Sequence, residues 1–190
     1  MILYAHNFVH VISLSDKSKE PEAIICEEEQ CILYSGDMDL ERHLVAAGTV
    51  FRELLIWQTT DGQVLHRCKG HTGVIFDTKF LTWGHGLVLG SVSDDRSVRI
   101  WQDGQQKAEM YGHTSRIWKI AQLADQTGES QLLTVATVSE DATCKVWQVQ
   151  MDKYAEVVTL RGHLGRNVRA LSTKHKSIVT GGEDGAVKLW

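Results

Sequence analysis

One phrase returns three times in this chain of 190 residues and closes each time on tryptophan: SVSDDRSVRIW at Trp101, VSEDATCKVW at Trp147 and GGEDGAVKLW at Trp190. Together with Trp57 these indoles fall 44, 46 and 43 residues apart, and a Gly-His dipeptide stands ahead of each phrase, at Gly70-His71, Gly112-His113 and Gly162-His163. A period of this length makes each repeat one supersecondary unit that cannot bury its apolar face alone, so stacked neighbours must build the core. Within the repeats, apolar or alternating runs such as VIFDTKFL (74–81), LVLGSVS (87–93) and SVRIWQ (97–102) are separated by turn residues. Nothing sustains a helical period, and Pro 1 with Gly 16 suits short strands joined by glycine turns without long linkers.

Period, dipeptide and tryptophan together form the signature of WD40 repeats, in which one repeat builds one four-stranded propeller blade. The expected fold is therefore an all-β, incomplete WD40 β-propeller of about four blades, with repeats over 1–69 (irregular), 70–111, 112–161 and 162–190 (truncated). Trp190 falls on the third strand of its repeat, which suggests the N-terminal part of a longer, multi-propeller protein. The opening MILYAHNFVHVISL reads as a strand pair already inside the propeller.

Asp95, Asp141 and Asp184 stand six residues before their tryptophans, where a tight turn joins two antiparallel strands. Each is placed to accept a hydrogen bond from His71, His113 or His163, with a hydroxyl and the indole of Trp101, Trp147 or Trp190 completing a buried polar latch. Ser93 and Ser139 are the expected hydroxyls. Gly182 occupies that place in the fourth repeat, so its chain is expected to be shorter and its blade weaker. His, Ser and Asp also compose a nucleophilic triad, but their return in successive repeats points to structure. The first repeat, AGTVFRELLIW (47–57), carries Phe51 in place of the aspartate and has no Gly-His upstream, which leaves Trp57 as a packing residue.

No signal peptide is evident, and no stretch approaches the roughly 20 apolar residues of a membrane span. Cys26, Cys31, Cys68 and Cys144 lack paired spacing, which suits reduced thiols and a cytoplasmic setting. His6 and His10 do not form a convincing metal site, and no cofactor fingerprint is present. Charge is uneven: residues 1–41 hold nine acidic and two basic side chains, including Glu27-Glu28-Glu29, and residues 42–190 hold fifteen and eighteen. RGHLGRNVRALSTKHK (161–176) carries Arg161, Arg166, Arg169, Lys174 and Lys176 without an acid. It reads as a solvated edge or as a docking surface for RNA phosphate or an acidic partner, without the aromatic interleaving that base reading needs. In a propeller Arg116 and Arg166 share a rim with Asp94, Glu140 and Glu183, and Lys174 and Lys176 lie at the opposite end. A rim of mixed sign favours protein docking.

AAGTVFRELLIW (46–57), GHTGVIFDTKFL (70–81), SVSDDRSVRIW (91–101), GHTSRIWKI (112–120) and GHLGRNVRAL (162–171) resemble the WD repeat-containing protein six family. These are WD-repeat regulatory subunits of the tRNA ribose 2′-O-methyltransferase that acts at the anticodon wobble position. The resemblance covers the whole chain but only the N-terminal portion of such proteins. It implies a non-catalytic scaffold whose methyltransferase partner carries S-adenosylmethionine and whose tRNA is contacted directly or through the complex. Arg116, Arg166, Arg169, Lys174 and Lys176 are the candidate contacts, with no membrane or DNA partner expected. The alternative is a general WD40 adaptor in signalling or autophagy without an RNA role. A cullin-ligase receptor fits poorly, because Trp57, Trp101 and Trp147 are followed by glutamine rather than a Trp-Asp-x-Arg box. An enzyme would need a nucleophile, base and orienting group outside the repeated latch, and none is found.

Overall fold

The computed structural model describes residues 32–123, 132–150 and 153–190, and the strand backbone at 2–5, 8–11 and 22–25. All regular structure among the described residues is β. Strands β1 (Ile2–Ala5), β2 (Phe8–Val11) and β3 (Glu22–Ile25) form a first antiparallel sheet, with Ile2 opposite Val11 in the strand pair expected from the opening residues. Four-stranded meanders follow: β4 (Leu33–Asp39), β5 (Leu44–Thr49), β6 (Glu53–Gln58) and β7 (Val64–Lys69); then β8 (Ile75–Leu81), β9 (Val88–Ser93), β10 (Val98–Gln102) and β11 (Gln105–Met110). A third comprises β12 (Ile117–Gln122), β13 (Leu133–Ser139), β14 (Thr143–Gln150) and β15 (Lys153–Arg161). The last sheet has three strands, β16 (Val168–Lys174), β17 (Ser177–Gly182) and β18 (Val187–Leu189).

The segment 1–69, expected as one irregular repeat, thus holds two sheets, and the described chain has five. The strands β1 to β3 precede the first of the periodic tryptophans and carry none of the repeat's markers. The innermost strands β4, β8, β12 and β16 pack side by side in chain order, and the sheets form an open arc of a propeller.

Each inner blade is buried on both faces, which explains strands that are apolar almost throughout. Along β5 and β6, Val45, Ala47, Leu55 and Trp57 point to one side. Leu44, Ala46, Leu54 and Ile56 point to the other, where they meet Ile75, Leu89 and Trp101 of the next blade. The period of two is kept, but both phases are hydrophobic because both faces meet another sheet. The approach is close enough to demand a missing side chain at Gly90, where a Cβ would stand 2.6 Å from Ile120 Cδ1 of the following blade.

Carboxylates pin the inner strands together. Asp37 of β4 accepts from the backbone N–H of Phe80 at 2.9 Å and from Lys79 Nζ at 3.3 Å. One blade on, Asp77 of β8 accepts from Ile120 N at 3.1 Å and Lys119 Nζ at 3.4 Å. Burial raises the Asp77 pKa, and the Lys119 charge works against that rise. Each strap joins two blades through a backbone donor that the sheet ladder leaves free, and so sets the angle between them.

At the end of the arc β18 pairs with β17 alone among the described residues, and Val187 and Leu189 are exposed beside that open edge. Val157 and Val158 of β15 are exposed as well. Unpaired strand edges flanked by apolar side chains template pairing with other chains. The 190-residue chain on its own is expected to sediment as a concentration-dependent oligomer, and Val187→Lys is expected to shift it toward monomer. A concentration-independent monomer of the unsubstituted chain would show that this edge does not drive association.

Candidate functional site

The loop after each outer strand delivers a histidine into the next sheet. His71 Nδ1 lies 2.8 Å from Asp95 Oδ2, and its Nε2 lies 2.8 Å from Ser91 Oγ, which accepts from Trp101 Nε1 at 2.8 Å. His113 repeats this with Asp141 at 2.8 Å, Thr137 at 2.9 Å and Trp147 Nε1 at 2.8 Å from the same hydroxyl. His163 does so with Asp184 at 3.0 Å, Thr180 at 2.8 Å and Trp190 Nε1 at 2.9 Å. The preceding glycine is required by proximity: a Cβ at Gly112 would stand 2.9 Å from Trp147 Cη2.

The latch hydroxyls are therefore Ser91, Thr137 and Thr180, not the expected Ser93 and Ser139. Strand periodicity explains the correction, because position 91 lies on the same face as position 93 but one pleat deeper, level with the indole. Ser93 and Ser139 instead brace the turn, accepting from the backbone N–H groups of Asp95 and Asp141 at 3.1 Å. Ser139 also donates to the Arg116 carbonyl at 2.8 Å. Since Thr180 supplies the hydroxyl of the fourth repeat, Gly182 does not shorten its latch, and what that turn lacks is the brace that Ser93 and Ser139 give theirs.

Hydrogen-bond direction sets the protonation of the latch. The indole N–H donates to the Ser91 oxygen, so the Ser91 hydroxyl is free to donate to His71 Nε2, leaving Nδ1–H to face Asp95. This is a neutral imidazole, and burial lowers the His71 pKa against the raising influence of Asp95. Burial raises Asp95 and Asp141, but the bonds from their histidines and from Ser97 or Thr143 outweigh it and hold both carboxyls well below the usual carboxylate range. Asp184 is drawn down to about 2, first by the Leu164 backbone N–H and then by His163. Such groups orient a turn and are not poised for proton transfer near neutral pH.

The first complete blade lacks the latch. Ala47 stands where Ser91, Thr137 and Thr180 stand, Phe51 replaces the aspartate, and Trp57 Nε1 is buried without a hydrogen-bond partner.

The latched loops and the turns beside them build one rim. Arg116 Nε lies 3.0 Å from Glu140 and 3.4 Å from Asp94, and Arg169 Nε donates to Glu183 at 2.8 Å. Arg166 lines an open polar cleft of about 520 Å³ with Thr114, Ser115, Glu140, Asp141 and Gly165. Lys174 and Lys176 flank the turn from β16 to β17, at the far end of β16 from this rim. The basic run 161–176 is thereby split between two ends of a blade and makes no continuous patch.

A feature not foreseen from the sequence lies on the same rim. Each inner strand shifts register by one residue, at Tyr34, Phe76, Trp118 and Arg169. The Phe76 and Trp118 rings meet at a tilt with centroids 4.7 Å apart, and Arg169 lies 4.3 Å over the Trp118 ring. The signal was present as Leu-Tyr, Ile-Phe, Ile-Trp and Val-Arg pairs near the start of each inner strand, but a bulge breaks the alternation by which such positions are read.

Cys68 and Cys144 are buried free thiols, and burial raises both to about 12, which leaves them inert. No cluster of His, Cys, Asp and Glu suited to a metal occurs among the described residues. The side chains of His6 and His10, together with Cys26, Cys31 and the Glu27-Glu28-Glu29 run, lie outside them.

Residues 62–102, 104–148 and 155–190 match the WD domain, G-beta repeat family. The chain belongs to the WD40-repeat family. Among solved structures, the WD40 β-propeller domain of Doa1 superposes with a TM-score of 0.76 at 22% identity, over 97% of this chain and 58% of that one. The computationally designed Ika8 protein gives 0.74, also at 22%, over 100% and 57%. These likenesses concern the propeller alone. In sequence the chain is 35% identical to the tRNA (34-2'-O)-methyltransferase regulator WDR6 of Mus musculus and 32% identical to that of Homo sapiens, over 85% of its own length in each case. It spans about 15% of the length of those relatives, which are named as regulators and not as enzymes.

The missing latch in the first complete WD40 blade yields a comparison. Trp57 and Trp147 are both fully buried, but only Trp147 donates a hydrogen bond. Trp57→Phe removes an unsatisfied N–H, and Trp147→Phe breaks the latch, so the second is expected to cost about 1–3 kcal/mol more in denaturant unfolding. Equal costs would show that the latch contributes nothing measurable.

The latch also predicts an acid profile. His71 has a lowered folded pKa, so its contribution is complete above the ordinary value of 6.5 and declines as pH falls below it. Asp95 and Asp141 have lowered folded values, so their contribution is complete above 3.8 and is lost as pH falls through the depressed range. The melting temperature is expected to fall first below pH 6.5 and again below 3.8, with Asp141→Asn weakening only the second limb. A melting temperature independent of pH through both windows would contradict the assignment.

Proposed function

We propose that this chain is a non-catalytic scaffold within a regulatory subunit, one that binds a tRNA 2′-O-methyltransferase and helps hold tRNA for ribose methylation at the wobble nucleotide. The likeness to relatives named as regulators of that enzyme carries the reading. The latch supports the non-catalytic part of it, because its histidines are committed to inward hydrogen bonds. Holding enzyme and substrate in one geometry lowers the entropic barrier to their encounter, and a rigid rim is suited to that task.

The docking face in this proposal is the rim that carries Arg116 and Arg166. Its arginines alternate with Asp94, Glu140 and Glu183, a pattern that selects a complementary protein surface over a uniform array of phosphates. Arg169 belongs to the same face. Lys174 and Lys176, at the opposite end, add at most a weak, salt-sensitive attraction for tRNA. Two buried, inert thiols accord with a cytoplasmic location, which forms part of the proposal.

Arg116→Glu combined with Arg166→Glu in the full-length protein is expected to lower methyltransferase capture and wobble-ribose methylation on the order of tenfold or more. Its melting curve should change little, because exposed ion pairs contribute little to stability. Lys174→Glu with Lys176→Glu should leave enzyme capture intact and flatten the salt dependence of tRNA binding. Undiminished capture and methylation after the arginine reversals would rule out this face.

A further inference from the structure

At the end of the blades opposite the latched rim, the β8–β9 connection is longer than a hairpin needs. Leu81 pairs with Val88, so residues 82–87 stand outside the ladder, whereas residues 40–43 suffice to join β4 to β5 and residues 175–176 to join β16 to β17. The extra length is not slack. Gln122 of the next blade clamps its start, accepting from Thr82 N at 2.8 Å and donating to the Thr82 carbonyl at 2.7 Å. Gln102 donates to the His85 carbonyl at 2.6 Å, and Asp103 accepts from Leu87 N at 2.9 Å. Gly84 and Gly86 take the left-handed turns between these anchors, with φ 57° and 88°, and a Cβ at Gly86 would stand 2.6 Å from an Asp103 carboxylate oxygen. A loop lengthened beyond the needs of its hairpin and fixed at both ends by side chains is a surface ordered in advance of any contact.

This loop and the β4–β5 turn wall a cleft of about 290 Å³. Phe80 and Trp83 line it, each half-buried and packed on a hydrophobic cluster behind. Asp39, Glu41 and Arg42 line it from the turn. Asp39 is committed, because its carboxylate accepts from Arg42 N at 3.0 Å and pairs with the Arg42 guanidinium at 3.5 Å. Glu41 is exposed and makes no ion pair among the described residues. With Asp39 and Arg42 offsetting each other, the cleft presents an unmatched negative charge beside aromatic side chains. Its volume lies at or below the bottom of the roughly 300–1,000 Å³ typical of small-molecule sites, which suits one long side chain better than a cofactor.

We infer that this cleft receives the side chain of an arginine carried by a partner protein, with its aliphatic stem along Phe80 and Trp83 and its guanidinium on the Glu41 carboxylate. Arginine answers each feature of the cleft. Its stem covers apolar surface, its planar cation lies against aromatic rings, and its fork of donors matches a carboxylate. Lysine brings the stem and the charge without the plane or the fork. RNA fits poorly, because its phosphates would meet Asp39 and Glu41. The inference stands apart from the regulator reading and from the Arg116 and Arg166 face, which lies at the other end of the blades.

Photo-crosslinking tests it. The full-length protein is irradiated with a short acetylated peptide of serine and glycine that carries an arginine next to a diazirine residue, and the adducts are mapped by mass spectrometry. Adducts are expected on residues 39–42 and 80–86. Citrulline in place of the arginine keeps the shape and removes the charge, and it is expected to lower the yield there on the order of tenfold, with lysine falling between the two. Glu41→Gln is expected to lower the yield to a similar extent. Asp61→Asn removes the same charge from the β6–β7 turn of that blade and should leave the yield unchanged. Trp83→Leu should lower it as well and is read beside a melting curve, since Trp83 also packs on the core. Absence of adducts at these residues, an equal yield from the citrulline peptide, or a yield unaffected by Glu41→Gln overturns the inference. An oligouridylate that crosslinks to Trp83 as strongly as the arginine peptide would also overturn it.

Discussion

The bond between the loop histidine and the carboxylate of the following sheet is the constraint on which the rest of the rim depends. Every blade ends at the outside of the arc, and the chain must then cross to the inside to begin the next. His71, His113 and His163 anchor that crossing by reaching between a hydroxyl and an aspartate, and the same aspartates accept from the backbone N–H groups of Thr72, Thr114 and Leu164. With the crossing held at two points, the residues just beyond it take fixed positions. Arg116 is therefore set between Asp94 and Glu140, and Arg166 beside the cleft.

The blade built from β4 to β7 holds together by other means. Phe51 takes the aspartate's place and is 60% exposed, and Trp57 is buried with its N–H unanswered. Packing on both faces and the Asp37 strap to β8 remain. A buried N–H without a partner is a real cost, so this blade relies more than the others on its neighbours. The arc is accordingly uneven, with polar latches in three blades and apolar contact in one, and the apolar end of the rim lies over the unlatched blade.

Mixed charge and aromatic contact lie together on one rim. The carboxylates neutralise most of the arginines locally, the rings are engaged with one another, and the histidines are turned inward. These features are the physical basis of the proposed protein docking. Rigidity serves it, because a surface already ordered before binding spends little conformational entropy on being met.

Much of this was legible in the residues and some of it was not. Periodic tryptophans, Gly-His pairs and the aspartate six positions upstream are local, repeated signals, and they determined the propeller, the strands at 75–81, 88–93 and 98–102, and the histidine–aspartate half of each latch. The hydroxyl was misplaced by one pleat because Ser91 and Ser93 share a face and differ only in depth; the signal was the hydroxyl ten residues before each latched tryptophan, at Ser91, Thr137 and Thr180. Of the first sheet the strand pair at its start was legible, but its standing apart from the repeat that closes on Trp57 was not, because its strands carry none of the repeat's markers. The division of the basic run between two ends of a blade follows from the length of β16. The seam of Tyr34, Phe76, Trp118 and Arg169 belongs wholly to the tertiary structure: its members lie some forty to fifty residues apart, and only bulges on adjacent blades bring them together.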